Sequence, residues 1–172
     1  MAKAVGQSET EGRPQAGIQV DFAGAADLDA MADLLGELFT LEADFTPDRA
    51  KQLAALRCIL DHPARGRLFV LRDCRQVVGM ANALISISTA EGGPVAVLED
   101  VVVAAGRRGD GHGRRLIEHV LAWAAAEGMS RVTLLADRDN AAALAFYERI
   151  GFEKSAMVVR RFRTRRAGTT SP

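Results

Sequence analysis

The 172-residue chain is 48% apolar, 26% charged and 5% aromatic, and its 22 basic and 22 acidic side chains cancel to a formal net charge of zero. This is the composition of one ordinary soluble domain, long enough to bury roughly two-thirds of the surface its unfolded form exposes, and disorder of the whole chain is excluded. No apolar run approaches the about eighteen residues of a membrane-spanning helix, and the N-terminus from Met1 to Thr10 has no apolar signal core, so a cytoplasmic address without a membrane partner is the expectation. Cys58 and Cys74 are too few for a disulfide framework or a four-cysteine zinc site; they read as reduced core thiols, and no metal is expected.

Residues 1–16 are polar and lack apolar periodicity, as do residues 166–172, so both are expected to be tails around one folded domain of about residues 17–165. Ile18, Val20 and Phe22 alternate with polar neighbours as a first strand, which Gly24 punctuates. Leu28, Met31, Ala32, Leu35, Leu38 and Phe39 recur at helical spacing and leave Asp29, Asp33 and Glu37 on the opposite face. Thr46 and Pro47 suit the cap and first position of a second helix, which carries Leu53, Leu56, Ile59 and Leu60 and stops at Pro63. Residues 68–72 and 77–88 read as a hairpin, and Gly92-Gly93-Pro94 turns the chain into a strand over 95–103. That strand ends in three valines, a pattern expected where both faces are covered. A helix follows with Leu116, Ile117, Val120, Leu121 and Ala124 facing inward and Gly128 at its end. Then come a strand at Val132 to Leu135, a short helix from about Ala141 to Arg149 closed by Gly151, and a final strand from Ala156 to Phe162. A meander followed by alternation with helices implies a mixed sheet flanked by helices.

The zero net charge hides a polarity. Residues 1–86 carry 9 basic and 12 acidic side chains, and residues 87–172 carry 13 and 10. Between Pro14 and Ala50 the acids Asp21, Asp27, Asp29, Asp33, Glu37, Glu42, Asp44 and Asp48 meet only one base, Arg49, which reads either as a solvated helix face or as a rim that concentrates a cationic substrate. Arg160, Arg161, Arg163, Arg165 and Arg166 read as the exposed positions of the last strand running into a tail. A sequence pI near 6.8 does not fit a nucleic-acid binder.

The most informative segment is Val103-Ala104-Ala105-Gly106-Arg107-Arg108-Gly109-Asp110-Gly111-His112-Gly113-Arg114, where a strand enters a glycine-rich loop and leaves as a helix. Missing side chains let backbone N–H groups converge, and the helix start adds unpaired donors and a positive dipole end, which suits a phosphate or pyrophosphate. Arg108 and Arg114 can reinforce it. The loop lacks the Lys-Ser/Thr ending of a P-loop, and G-x-G-x-G is not the dinucleotide spacing, so ATP and NAD fit poorly. Cys58 and His62, four apart on one helix, are only two ligands and do not make a zinc site.

R-x-x-G-x-G after an apolar strand resembles the acyl-CoA pyrophosphate loop of the GCN5-related N-acetyltransferase (GNAT) family. Asn140-Ala141-Ala142-Ala143-Leu144-Ala145-Phe146-Tyr147-Glu148-Arg149-Ile150-Gly151-Phe152 is similar to that family's N-x-x-A-x-x-F-Y-x-x-x-G-F helix. The resemblance covers about residues 17–163 and departs at Ala105, where many members have proline. It implies an α/β fold of the α+β kind: a mixed, mostly antiparallel sheet of six to seven strands flanked by about four helices.

It also implies an acetyl-CoA-dependent N-acetyltransferase acting by direct attack. By resemblance the backbone of Val101, Val102 and Val103 pairs with the pantetheine arm, with the Val101 amide as oxyanion donor. The segment Arg108, Gly109, Asp110, Gly111, His112, Gly113 and Arg114 receives the pyrophosphate, and Asn140, Ala143 and Phe146 contact the cofactor. Tyr147, the only tyrosine, matches the general acid; a packing aromatic is its structural reading. Leu98-Glu99-Asp100-Val101 is similar to spermidine/spermine N-acetyltransferases, where such acids meet the polyamine. Glu99 or Asp100 is therefore the candidate base, although strand alternation sends them to opposite faces unless a bulge intervenes. His112 and His119 are weaker candidates, His119 being expected exposed in mid-helix. The acceptor is expected to be a small cationic amine, with a protein N-terminus or lysine as the alternative and a non-catalytic acyl-CoA-binding module as the reading from another class. The final strand, as an edge, is the candidate surface for a homodimer.

Overall fold

Alternation of apolar side chains at Ile18–Phe22 produces the first strand, β1, which pairs antiparallel with Gly66–Asp73, β2. β2 pairs with Gln76–Ser88, β3, and β3 with Gly93–Val103, β4, both antiparallel; Val132–Leu134, β5, lies parallel to β4. The sheet order is β1-β2-β3-β4-β5. The direction changes at β5 because a helix, His112–Ala126, α3 here, returns the chain across the sheet, as a parallel connection requires. The computed structural model describes residues 17–41, 44–162 and 164. Two units are distinguished, one up to Asp137 and one from Arg138 onward.

In the first unit two more helices, Leu28–Leu41 (α1) and Arg49–Asp61 (α2), precede β2. Leu28, Met31, Ala32, Leu34 and Leu35 of α1 and Leu56 of α2 form one buried cluster with Leu68, Val70, Met80 and Val102 of the sheet. The opposite face packs on α3, whose Leu116, Ile117, Val120, Trp123 and Ala124 are buried; the Trp123 ring meets Phe69 at 5.3 Å. Adjacent residues such as Phe69 and Val70 thus bury on opposite sides, and β2 is apolar without alternation. Each fully buried Leu, Ile or Phe side chain contributes roughly 1.5–3 kcal/mol, so both layers are needed.

A partly buried ion pair ties the helical layer to the sheet. Arg72 of β2 donates from both terminal nitrogens to the two carboxylate oxygens of Asp27 at 2.8 Å each, and the Gly24 amide donates to the same carboxylate at 2.7 Å. The Arg72 guanidinium holds the Asp27 carboxyl below its ordinary value of 3.8. A lowered folded value means that the carboxylate stabilises the fold above the ordinary aspartate range, and that this contribution is lost as the pH falls through the lowered value. Asp27→Asn is expected to be less stable by about 2 kcal/mol at neutral pH. In denaturant titrations its deficit should shrink as the pH falls below 3.8; a deficit constant with pH contradicts this role.

Among its described residues the second unit holds one helix, Ala141–Ile150, labelled α4, capped at its start by Asn140 and ended by Gly151 at φ +113°. The expected final strand from Ala156 to Phe162 is not formed, and among the described residues there are five strands against the expected six to seven. A strand exists only where a neighbour takes its N–H and C=O groups, and among the described residues none does so here; Met157 and Phe162 are almost fully exposed. The edge expected to carry a homodimer is therefore not built. Residues 1–16, Arg163, Arg165, Arg166 and the rest of the C-terminal tail lie outside the described residues.

Smaller corrections have local causes. The cap of α2 is Asp48, whose carboxylate accepts from the Lys51 amide, so the helix starts at Arg49, two residues past Pro47. Cys58 and Cys74 are free but exposed, Cys74 because it occupies the two-residue turn between β2 and β3. In α3 it is Trp123 that turns inward and Leu121 that is half-buried. Among the described residues no helix is long and apolar enough to cross a membrane.

Candidate active site

The pairing of β3 with β4 slips once. Met80 faces Val102 while Asn82 faces Glu99, so β4 carries one extra residue at Asp100-Val101, a bulge. Asp100 has φ +51°, in the left-handed region that aspartate tolerates better than most side chains. Met80 and Asn82 are two apart and share a face, and Met80 and Val102 lie in the cluster under α1 and α2. Glu99, paired with Asn82, therefore faces that layer too, half-buried. The Asp100 carboxylate comes to the same side, because it accepts a hydrogen bond from the Asn82 amide. Both candidate bases thus stand on the α1/α2 side of the sheet.

The other edge of β4 is left open. β5 pairs only with Ala96, Val97 and Leu98; among the described residues no strand continues along 99–103. A strand edge with unused N–H and C=O groups can accept an extended ligand carrying amides. Val101, Val102 and Val103 lie on that stretch, Val102 buried and the other two half-buried.

Directly beyond Val103 comes the glycine loop. Its first turn, Ala105–Arg107, is held to the end of β2 by an ion pair from Arg107 to Asp73 at 2.6 Å. Arg108 donates through Nε to the Val103 carbonyl at 2.9 Å and is exposed. Gly109 and Gly111 have φ of +96° and +77°, and a Cβ at either would meet nothing within 4 Å. The space above this loop is open, and the glycines serve its backbone path and a close approach from outside. The first helical bond of α3 runs from the Arg115 amide to the Gly111 carbonyl, so the amides of His112, Gly113 and Arg114 precede the ladder. Together with the dipole of the fifteen-residue α3 they give this end of the helix the polarity that favours an anion. Asp110 is exposed in the loop, and Arg114 pairs with Glu118 at 3.0 Å. His112, expected within the loop, is the first residue of α3 and is 5% exposed. His119 is exposed, as expected.

A groove of about 400 Å³ opens between the end of α1 and this loop, lined by Glu37, Thr40, Leu41, Ala105 and Arg108. Of the acids on α1, Asp29 and Asp33 are bound by Arg49 at 2.8 and 3.2 Å, whereas Glu37 meets the Ala105 amide at 3.4 Å and lines the groove. The acidic rim is therefore narrower than its composition implies. Among the described residues no group of three potential metal ligands is formed.

In the second unit, the Asn140 side chain accepts from the Ala143 amide at 3.0 Å, so the N-x-x-A spacing is that of a helix cap. Tyr147 is half-buried, its ring 5.4 Å from Phe146 and 5.9 Å from Phe152. Its carbonyl accepts from the amides of Gly151 and Phe152, which closes the helix. Asn82, Arg107 and the groove position of Glu37 were not singled out from sequence. Only Asn82 had a signal, as the one amide in the apolar run from Val77 to Leu84.

A sequence model of the acetyltransferase (GNAT) family matches residues 28–152. No curated protein matches the sequence significantly. Among solved structures, an acetyltransferase from Trypanosoma brucei is 26% identical, with a TM-score of 0.67 over 84% of this chain and 99% of that one. An aminoglycoside N-acetyltransferase in complex with CoA is 21% identical, with a TM-score of 0.73 over 86% and 95%. Glucosamine-6-phosphate N-acetyltransferase from Arabidopsis thaliana is 18% identical, with a TM-score of 0.67 over 84% and 97%. The family uses acetyl-CoA, and the open β4 edge leading into an uncrowded glycine loop fits that molecule's amide-bearing arm and pyrophosphate. With the family model spanning both the glycine loop and the Tyr147 helix, the chain belongs to the GNAT family of acetyltransferases.

Proposed function

We propose that the protein is an acetyl-CoA-dependent N-acetyltransferase that acetylates a primary amine by direct attack in a ternary complex, and that the acceptor is a small cationic amine. The observation that carries this reading is the β4 bulge, which sets Glu99 and Asp100 on one side of a strand whose outer edge is open just before the glycine loop. Acetyl-CoA supplies an acyl group activated as a thioester. The amides of Gly109 to Arg114, with Arg108, hold the pyrophosphate, and the backbone of Val101, Val102 and Val103 pairs with the pantetheine amides. Val101, outside the paired register, offers its N–H to the carbonyl oxygen as negative charge develops there. Glu99 or Asp100 removes the proton that the acceptor nitrogen must lose. That nitrogen bonds to the carbonyl carbon, the carbon–sulfur bond breaks, and Tyr147 returns a proton to the leaving sulfur. Asn140, Ala143 and Phe146 contribute cofactor contacts from α4, a role supported by the family motif.

Charge supports a cationic acceptor: Glu99 and Asp100 stand on one side of β4, and Glu37 adds a carboxylate to the groove beside the loop. The structural neighbours named for aminoglycoside and glucosamine-6-phosphate acetylation also act on amines. Neither nucleic acid nor a metal enters the reaction. The test is steady-state thiol release from acetyl-CoA over a panel of polyamines, aminoglycosides, amino sugars, amino acids and peptides. Turnover is expected with a polyamine or another small polycation. Turnover on peptides alone would move the acceptor to protein, and tight acetyl-CoA binding without turnover on any amine would make the protein a non-catalytic acyl-CoA-binding module.

A further inference from the structure

Asn82 is a polar residue in the middle of β3, 3% exposed, with buried residues on either side from Val78 to Ala83. Its Nδ2 donates to Oδ2 of Asp100, the residue of the β4 bulge that has φ +51°. A carboxylate can only accept, so the amide nitrogen must face Asp100 and Oδ1 must turn away. Oδ1 is buried and, among the described residues, has no hydrogen-bond partner.

These observations separate stability from positioning. The gain from a hydrogen bond to a charged group and the cost of an unsatisfied buried acceptor are of similar size, so the amide contributes little net stability to the fold. What it does provide is local. The left-handed conformation of Asp100 is strained relative to the ordinary one, and the bond from Asn82 to its carboxylate is strong enough to hold it. The same bond spans the bulge, beside Val101, which lies outside the β3 ladder.

We propose that Asn82 is a positioning residue of the acetyl-transfer site: it pins the β4 bulge and aims the Asp100 carboxylate at the acceptor nitrogen, whose proton Asp100 takes. Between the two acids of β4, this makes Asp100 the base and leaves Glu99 to attract the cationic acceptor. The inference rests on the acetyl-transfer reading above. Asn82 itself touches neither substrate and works through Asp100.

The experiment measures kcat and both KM values for the wild type, Asn82→Leu, Asn82→Ala, Asp100→Ala and the two double variants, with circular dichroism to verify folding. Misplacing a reacting group by about 1 Å costs on the order of 100-fold. Asn82→Leu and Asn82→Ala are thus expected to lower kcat between 20- and 100-fold, on the order of that same loss. The KM for acetyl-CoA should change far less than kcat, because the glycine loop that receives the pyrophosphate is untouched by these substitutions. In the Asp100→Ala background the Asn82 substitutions should have no further effect, since their route to the reaction is gone. Folded Asn82 variants with wild-type kcat, an equal loss of kcat with and without Asp100, or the failure of both single variants to fold would each overturn the proposal. A wild type that acetylates none of the amines overturns the acetyl-transfer reading and this inference with it, whereas an active wild type beside unaffected Asn82 variants overturns this inference alone.

Discussion

Tyr147→Phe is expected to lower kcat about 100-fold while the KM for acetyl-CoA moves by less than about threefold. General acid catalysis spans about 10²–10⁴-fold, and a thiol with a pKa near about 8.5 is already a fair leaving group, which places this case at the low end. The substitution removes only a hydroxyl. The ring that meets Phe146 at 5.4 Å and Phe152 at 5.9 Å is retained, and so is the backbone carbonyl that closes α4. A folded variant is therefore expected, and the loss reports on proton transfer. No second phenol can take over, because the chain has one tyrosine. Steady-state kinetics with the best acceptor of the amine panel check this: an unchanged kcat removes Tyr147 from the mechanism, and a large rise in KM at constant kcat makes it a binding aromatic.

The elements legible in the sequence were those with strong periodicity or a capping signal. Leu28, Met31, Ala32 and Leu35 mark the inner face of α1, and Gly151 closes α4 in the left-handed conformation that only glycine adopts freely. The glycine loop was legible for the same reason: Gly109 and Gly111 have positive φ. The apolar pattern of residues 156–162 fits a strand, whereas strand formation depends on a neighbour that a local pattern does not contain. The bulge was also beyond reach. Glu99 and Asp100 are adjacent, and whether they share a side depends on one extra residue in the register between β3 and β4, which no single strand encodes. Pairing of the α1 acids with Arg49, from a different helix, was hidden likewise. The site is thus legible where backbone conformation selects residue type, and hidden where long-range register brings side chains together.

Placement of the acyl-CoA pyrophosphate on the glycine loop can be probed at Gly111. Gly111 caps α3 at φ +77°, where a β-branched residue is strained by at least about 1–2 kcal/mol. A Cβ there meets no protein atom within 4 Å, so valine disturbs no core packing and instead fills the space through which a pyrophosphate reaches the loop amides. Both effects act on the bound state, by distorting the first amides of α3 and by blocking approach to them. Gly111→Val is expected to weaken acetyl-CoA binding about 100-fold or more, a loss of the size that follows when charge-assisted hydrogen bonds to a phosphate are removed. Isothermal titration calorimetry of acetyl-CoA against the wild type and folded Gly111→Val decides it: tight binding lost in the variant is the predicted result, and equal affinity in the two proteins would contradict the placement of the cofactor on this loop.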